Sequence, residues 1–231
     1  MNKIYSYVLR FDDGAAPNPF WGLCTLTICK PAIRRNAKIG DWVVGTGSKN
    51  SKCNDGNFHD LSDSVVFAMK ISDKKTLQEY DSFCNTSLKK KIPNWRTTDW
   101  RLRMGDCIYD YSSGLTPTIR KSVHKEGNRK RDLSGLNSLI SNEFYYFGEE
   151  ARPLPTDLKQ IIKRNQGHRK IENSDLVTKF ENWIKEFEKN RIYADPQMRS
   201  VFDKNLTEDV ISKCAERHFD EDEDETEETI C

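Results

Sequence analysis

The order of strand-like and helix-like segments is the feature that most constrains this fold. Six segments before residue 150 alternate apolar and polar residues or cluster β-branched ones, which is typical of strands. They span residues 5–11, 21–29, 42–45, 65–71, 108–111 and 144–147. Helices are not interleaved regularly between them, as parallel βαβ units require. We therefore predict an α+β fold in which a bent antiparallel sheet or barrel has helices packed outside.

Helical patterns dominate after residue 150. Apolar residues recur at helical spacing from Leu176 through Phe180 and Trp183 to Phe187, which predicts a helix with one buried face. Weaker patterns predict helices at 156–164 and 207–217. Before residue 150, a capping box at Thr76 predicts one short helix toward Phe83.

These patterns divide the chain into three parts. We predict a strand-rich core at 1–150, a helical extension at 151–217 and an unstructured acidic tail at 218–231. Residues 49–62 and 112–134 are rich in Gly, Asn, Ser and charge. They are predicted to be long loops, which in a compact domain are either mobile or functional.

The charge is distributed unevenly. The chain has 37 basic and 36 acidic residues, but eight of the acidic ones lie between Asp220 and Glu228. The remainder is strongly basic, which suits a phosphate-bearing partner. The acidic end can compete with that partner, or it can simply keep the chain in solution.

The cysteines and the apolar runs restrict the compartment and the cofactors. Seven cysteines are scattered without a C-x-x-C pair, so we expect reduced thiols, no metal site and no other cofactor. Cys53 and His59 can bind zinc only together with a second pair of ligands, which this loop lacks. No apolar run approaches the roughly 20 residues of a membrane-spanning helix, and the first residues do not form a signal peptide. We predict a cytoplasmic protein without a membrane partner.

A basic residue, an apolar residue, Gly-Asp and an apolar run occur twice, as KIGDWVVG at 38–45 and RMGDCIYD at 103–110. Gly-Asp at this position is a turn device, in which Asp41 or Asp106 bonds to nearby amides. The first turn and the segment 65–80 resemble barrel strands of the PUA-like superfamily, which includes EVE, ASCH and YTH domains. This resemblance implies a PUA-like bent barrel, and many such domains extract a modified base into a pocket.

Several separated motifs occur in an order that resembles a second family. They are APNPFWGLCTLTICKPAIRR, KIGDWVVGTGS, RMGDCIYDYSSG, DLSGLNSLIS, EFYYFGEEARPLP and NQGHR. Together they resemble the nucleotide-modification-associated domain, type 2, of bacteria and phages, over most of the chain. The resemblance implies an association with base-modification systems and does not specify a reaction.

These motifs supply candidates for binding a nucleotide or nucleic acid. Two aromatic rings beside prolines can stack a base or pack in the core, and an asparagine can read a base edge or form a turn. Basic residues after a strand can meet phosphate or remain solvated. Small residues around Gly47 let amides approach a phosphate or base, or they form a plain turn. The candidates are Asn18, Phe20, Trp21, Lys30, Arg34, Thr46, Ser48, Tyr109, Asn128 and Arg169.

Candidates for catalysis are fewer. His124 can transfer a proton near neutral pH, with Asp106 or Asp132 as its orienting group or as a base, or it is exposed in a flexible basic loop. His168 either closes a phosphate pocket with Arg169 or belongs to a helix end. No nucleophile, base and orienting group occur at a recognisable spacing.

Three functions are consistent with these features. The first is recognition of a nucleotide or modified base through a PUA-like pocket. The second is an enzyme that transfers a group to or from a nucleotide or DNA base, which requires turnover. The third is an adaptor without a nucleotide site, which predicts a filled barrel.

Overall fold

A computed structural model describes residues 2–199 and 227–230. The strands are β1 Ile4–Val8, β2 Cys24–Leu26, β3 Trp42–Thr46, β4 Ser51–Lys52, β5 Phe58–His59, β6 Ser64–Lys70, β7 Asp73–Thr76, β8 Tyr109–Asp110, β9 Thr118–Ile119, β10 Asn137–Ser141, β11 Glu143–Tyr146, β12 Arg152–Pro153, β13 His168–Ile171, β14 Arg191–Ile192 and β15 Glu227–Ile230. The α-helices are α1 Pro31–Asn36, α2 Leu77–Ser87, α3 Trp100–Arg103, α4 Arg129–Ser134 and α5 Ser174–Ile184. Short 3-10 helices span Lys89–Lys91, Glu126–Asn128, Gly148–Glu150 and Thr156–Ile161.

The main sheet has the strand order β14, β11, β6, β3, β1, β13, β15, with β12 beside β6. It is mixed, because β1 runs parallel to β3 and antiparallel to β13. A parallel pair requires a long crossover, which β2 and α1 provide between β1 and β3. Among the described strands, β14 and β15 do not pair with each other. The α+β class with a strand-rich core is confirmed, but the predicted PUA-like bent antiparallel barrel is not found in this part of the chain.

The main sheet is buried on both faces, because successive side chains of a strand point to opposite sides. On one face, Tyr5 and Val43 pack toward the smaller sheet of β2, β10 and β7, which contributes Leu26. On the other face, Ile4 and Trp42 belong to the cluster formed with α5. The core therefore has two layers, one on each side of the main sheet.

Several local predictions are confirmed. Each of the six predicted strand segments overlaps a strand, and α5 buries Phe180 and Trp183 as expected. The capping box is present: the Glu79 amide donates to Thr76 Oγ1 at 3.2 Å, and the Thr76 amide donates to Glu79 Oε2 at 2.8 Å. None of the helices in the described ranges combines the length and apolar character that crossing a membrane requires.

Other local predictions differ from the structure. The helix predicted at 156–164 is a 3-10 helix at Thr156–Ile161, because Pro155 occupies the cap position and supplies no side-chain cap. Residues 168 and 169 were expected to lie at the end of a helix, but residues 168–171 form β13. Four residues are too few to show the alternation of side chains that is typical of a strand. The two predicted loops contain β4, β5, β9 and α4. The helix predicted at 207–217 and residues 218–226 of the acidic tail lie outside the described residues.

Residues 227–230 of the acidic tail form β15, parallel to β13, so the expectation of an unstructured end does not hold there. Charge complementarity explains this pairing. Glu228 lies 2.5 Å from Lys163 Nζ and 2.8 Å from Arg169 Nη2, and Glu227 lies 3.0 Å from Lys170 Nζ. Ile230 also packs against the cluster around α5.

Candidate functional site

A cleft of about 640 Å³ opens where β1 and β3 end, beside the segment that leads into β13. Parallel neighbours end on the same side of a sheet, which is where ligands of open sheets commonly bind. Within the described part of the chain, five basic side chains and no acidic ones line this cleft. They are Arg10, Lys30, Lys49, Lys163 and Arg164, and they define the basic cleft.

Aromatic and amide groups complete the wall of the basic cleft. Phe58 of β5 is 67% exposed, and Phe11 lies under the Arg10 guanidinium at 5.6 Å. Further lining residues carry side-chain amides: Asn50, Asn165 and Gln166. An accessible ring next to positive charge is the combination that binds a base together with its phosphate.

Gly47 fixes the wall formed by the end of β3. A Cβ atom at this position would lie 2.4 Å from Leu61 Cβ and 2.6 Å from the Leu61 carbonyl oxygen. The Leu61 amide donates to the Ser48 carbonyl at 2.9 Å, and the Ser48 amide donates to Ser51 Oγ at 3.1 Å. The close approach of these two segments therefore requires glycine.

Two of the cleft cations have acidic partners outside the cleft. Lys163 pairs with Glu228 of β15, and Arg164 Nη2 lies 2.9 Å from Asp63. Hydrogen bonds from Lys163 and Arg169 lower the pKa of Glu228, so its carboxylate is ionised near neutral pH. Glu228 of β15 thus neutralises a cation that lines the cleft.

A second constellation, the thiol cluster, consists of Cys29, His124, Asp132 and Tyr109. Cys29 Sγ lies 3.5 Å from His124 Nε2, and His124 Nδ1 lies 2.5 Å from Asp132 Oδ2. Asp132 also accepts hydrogen bonds from the Tyr109 hydroxyl at 2.9 Å and from the Cys29 amide at 3.0 Å. All four residues are buried.

The thiol cluster holds an ionised carboxylate. Burial opposes ionisation of Asp132, but His124 and Arg34 outweigh it and lower the pKa of this carboxyl. Arg34 is itself buried, and it donates to the carbonyl oxygens of Cys29 at 2.7 Å and Asp132 at 2.6 Å. Burial and Asp132 raise the pKa of Tyr109. Asp132 is therefore a fixed negative acceptor that orients the His124 ring.

Strained backbone connects the thiol cluster to the basic cleft. Cys29 and Lys30 have φ angles of 59° and 42°, between β2 and the first residue of α1. The left-handed region costs a residue other than glycine about 1 kcal/mol. This conformation places Cys29 beside His124 and the next residue, Lys30, in the wall of the cleft.

The described residues contain no group of three His, Cys, Asp or Glu side chains arranged to hold a metal ion. In the thiol cluster, Asp132 occupies the side of the His124 ring that faces away from Cys29. This is the arrangement of an orienting group and not of a ligand set.

The residues predicted to bind a nucleotide lie in several places. Lys30 and Ser48 line the basic cleft. Arg34 donates to the Cys29 carbonyl, and Tyr109 donates to Asp132 of the thiol cluster. The remaining polar candidates also have local partners: Thr46 Oγ1 lies 3.3 Å from the Tyr7 carbonyl, Asn128 accepts from the Lys125 amide, and Arg169 bonds to Glu228. His168, a catalytic candidate, bonds to Glu227.

Asp106 and Asn18 belong to a separate buried network. Asp106 accepts hydrogen bonds from the hydroxyls of Thr25, Thr27 and Tyr80 at 2.5 to 2.9 Å. The Lys91 ammonium donates to the Asn18 carbonyl and to Asn18 Oδ1, both at 2.7 Å. The partner of His124 is therefore Asp132, and Asp106 is not beside it.

The predicted stacking rings lie away from the basic cleft. Phe20 is buried and packs edge-on against Trp100 at 5.3 Å, so its faces are covered by the core. Trp21 is partly buried, with Lys90 Nζ 4.7 Å from its ring, in a separate depression formed with 86–90. The exposed ring beside the cleft is Phe58.

Sequence reasoning missed Phe58, Lys163, Arg164 and the nucleophile candidate Cys29. Phe58 had one available signal, since it is a lone aromatic in the polar run NDGNFHD. Cys29 stands between a strand and Pro31, whose fixed φ suits the first position of a helix, so sequence marks only the junction there. The two basic residues resemble many others in this lysine-rich chain.

The family model for nucleotide modification associated domain 2 matches residues 1–204. No curated protein and no solved structure matches the chain. The match includes both the basic cleft and the thiol cluster and extends over most of the sequence. The chain belongs to the nucleotide modification associated domain 2 family.

Proposed function

We propose that this protein binds a nucleotide, free or within nucleic acid, in the basic cleft as part of a nucleotide-modification system. The observation that carries the proposal is the cleft itself, in which five cations and no described acidic residue surround the exposed Phe58. Its volume of about 640 Å³ suits a ligand of nucleotide size. The family description supplies the association with nucleotide modification.

Each part of the basic cleft has a distinct role in this proposal. Phe58 stacks on the base, because its ring is accessible and lies among cations. Lys49, Lys163 and Arg164 meet the phosphate, and Asn165 contributes an amide that can pair with a base edge. In this proposal the ligand occupies a cleft at the end of an open sheet and does not enter a PUA-like barrel.

Phe58→Ala tests the proposal. Stacking of a base on an aromatic ring is worth roughly 1–3 kcal/mol, so the dissociation constant should rise by about 5- to 150-fold. Fluorescence anisotropy of a labelled single-stranded oligodeoxynucleotide measures this change. Leu115→Ala is the matched control, since Leu115 is an exposed apolar residue, 84% accessible, that does not line the cleft.

The outcomes separate the possible ligands. Competition by a deoxynucleoside triphosphate against the oligonucleotide tells whether a free nucleotide fills the same site. Equal affinities of Phe58→Ala and wild type would remove Phe58 as the stacking ring. Failure of both the oligonucleotide and the triphosphate to bind wild type would refute nucleotide binding in the cleft.

A further inference from the structure

The thiol cluster has a geometry that packing alone does not require. Cys24 shows how a structural cysteine looks in this protein, because it packs against Met69 Sδ at 3.8 Å, and burial raises its pKa to about 12. Cys29 instead faces the Nε2 atom of His124, whose other nitrogen faces the ionised Asp132. Three side chains from β2–α1, the loop after β9 and α4 thus meet in the order thiol, imidazole, carboxylate.

We infer that Cys29 is a nucleophile for acyl transfer, with His124 as its general base and Asp132 as a positioning residue. This activity goes beyond nucleotide binding. Its substrate class is an acyl group attached to a leaving group through an amide, ester or thioester bond. A nucleophile, a base and an orienting group that contact each other in this spatial order recur in enzymes that carry out acyl transfer.

Acyl transfer by Cys29 proceeds through the protein's own side chains and water. His124 Nε2 takes the proton as the Sγ–H bond breaks, and the sulfur electron pair forms an Sγ–C bond to the carbonyl carbon. The π bond of the carbonyl breaks at the same time, and its electron pair moves onto the oxygen. When the oxygen electron pair returns, the bond to the leaving group breaks, and the leaving group takes the proton from His124. Water then attacks the thioester in the same way, which releases a carboxylic acid and restores the thiol.

The position of Cys29 connects this chemistry to the basic cleft. Lys30, the next residue, lines the cleft, and both residues have left-handed backbone angles. Cys29 itself is 2% exposed and is not part of the cleft wall. A substrate held in the cleft would therefore reach the thiol from the side of Lys30.

Alkylation by iodoacetamide, followed at each cysteine peptide by mass spectrometry from about pH 5 to 9, tests the nucleophile. The groups that face Cys29 and His124 from the packed elements are Asp132, Arg34 and Tyr109. We expect the Cys29 rate to have a midpoint below the value of about 8.5 for an ordinary thiol. His124→Gln should lower the rate at pH 7 by at least about tenfold, because no base remains.

Cys53 is an internal reference for this experiment. It is 7% exposed, more than Cys29, and burial raises its pKa to about 11. Simple accessibility would therefore label Cys53 first, whereas an activated Cys29 reacts first. Cys53 reacting as fast as Cys29, or a Cys29 midpoint at or above about 8.5, overturns the inference even when His124→Gln does not fold.

Acyl transfer is tested with p-nitrophenyl acetate. The expected result is a burst of about one nitrophenolate per chain and an acetyl group on the Cys29 peptide, both absent in Cys29→Ser. Alkylation without acetylation would overturn the acyl-transfer step. Oligonucleotide binding by Cys29→Ser is measured in parallel, so that failure of the thiol chemistry and failure of the proposed binding are recorded separately.

Discussion

Glu228 of β15 gives the most quantitative test of nucleic-acid binding. Its carboxylate accepts hydrogen bonds from Lys163, which lines the basic cleft, and from Arg169. Arg169 also donates to the carbonyl of Ile162, another lining residue. Glu228→Gln removes the charge while keeping the size of the side chain. We expect it to make two cations available to phosphate.

The magnitude follows from counterion release. For single strands, each neutralised phosphate adds about 0.7 to the slope of log affinity against log salt. Two additional contacts add about 1.4, so the affinity of the variant should fall about sevenfold more than that of wild type between roughly 50 and 200 mM salt. Detachment of β15 would release the same two cations and therefore would not hide the effect.

The assay is anisotropy of a labelled single-stranded oligonucleotide at several salt concentrations. Glu188→Gln is the control, because Glu188 pairs with Arg191 of β14, at the opposite edge of the sheet from β15. Parallel salt dependences for wild type and Glu228→Gln would refute competition between β15 and nucleic acid. A change of the same size in Glu188→Gln would show that only net charge matters.

Three further substitutions test the packing and the buried charges. Gly47→Ala should destabilise the chain by about 1–3 kcal/mol in urea unfolding and weaken oligonucleotide binding, whereas Gly127→Ala, with open space around its added Cβ, should do neither. Lys91→Met should lower the free energy of unfolding by about 3–5 kcal/mol, since buried acceptors lose their cation; a loss under about 1 kcal/mol would contradict this. Burial raises the pKa of Asp12 to about 7, although the hydrogen bond from the Tyr146 hydroxyl at 2.6 Å lowers it. The native state therefore keeps a proton on Asp12 that the unfolded chain releases near pH 4. The contribution of this proton to the free energy of unfolding is complete below about pH 4 and is lost as the pH rises through 7. The free energy of unfolding of wild type in urea should therefore fall by up to about 4 kcal/mol relative to that of Asp12→Asn over this interval. The same pH dependence in the two proteins would contradict this.

The elements that sequence predicted well are those set by local patterns. The alternation in β1, the capping box at Thr76 and the apolar face of α5 each lie within a few residues, where spacing alone indicates the structure. The parallel pairing of β1 with β3 was not predictable in this way. It depends on β2 and α1 forming one crossover, and α1 has only six residues.

The candidate site was predictable only in part, for a similar reason. Lys30 and Ser48 could be proposed because each follows a predicted strand, and both line the basic cleft. The choice between Asp106 and Asp132 as the partner of His124 could not be made, because sequence spacing does not show which carboxylate reaches the ring; only the folded structure places Asp132 there. Cys29 was missed because it lies 95 residues from His124 in sequence. The roles proposed for these residues in binding and catalysis remain predictions.

The central place of β1 has a consequence for how this chain is made. Ile4 pairs on one side with Trp42 and on the other with Ile171. At a synthesis rate of about 5–20 residues per second, the second partner emerges from the ribosome roughly 10–30 s after β1. Throughout that interval one side of the nascent strand carries unpaired amides and carbonyls, which are a template for association with other unfinished chains. Productive folding of this protein is thus a late event, and a chaperone that shields β1 should raise its yield.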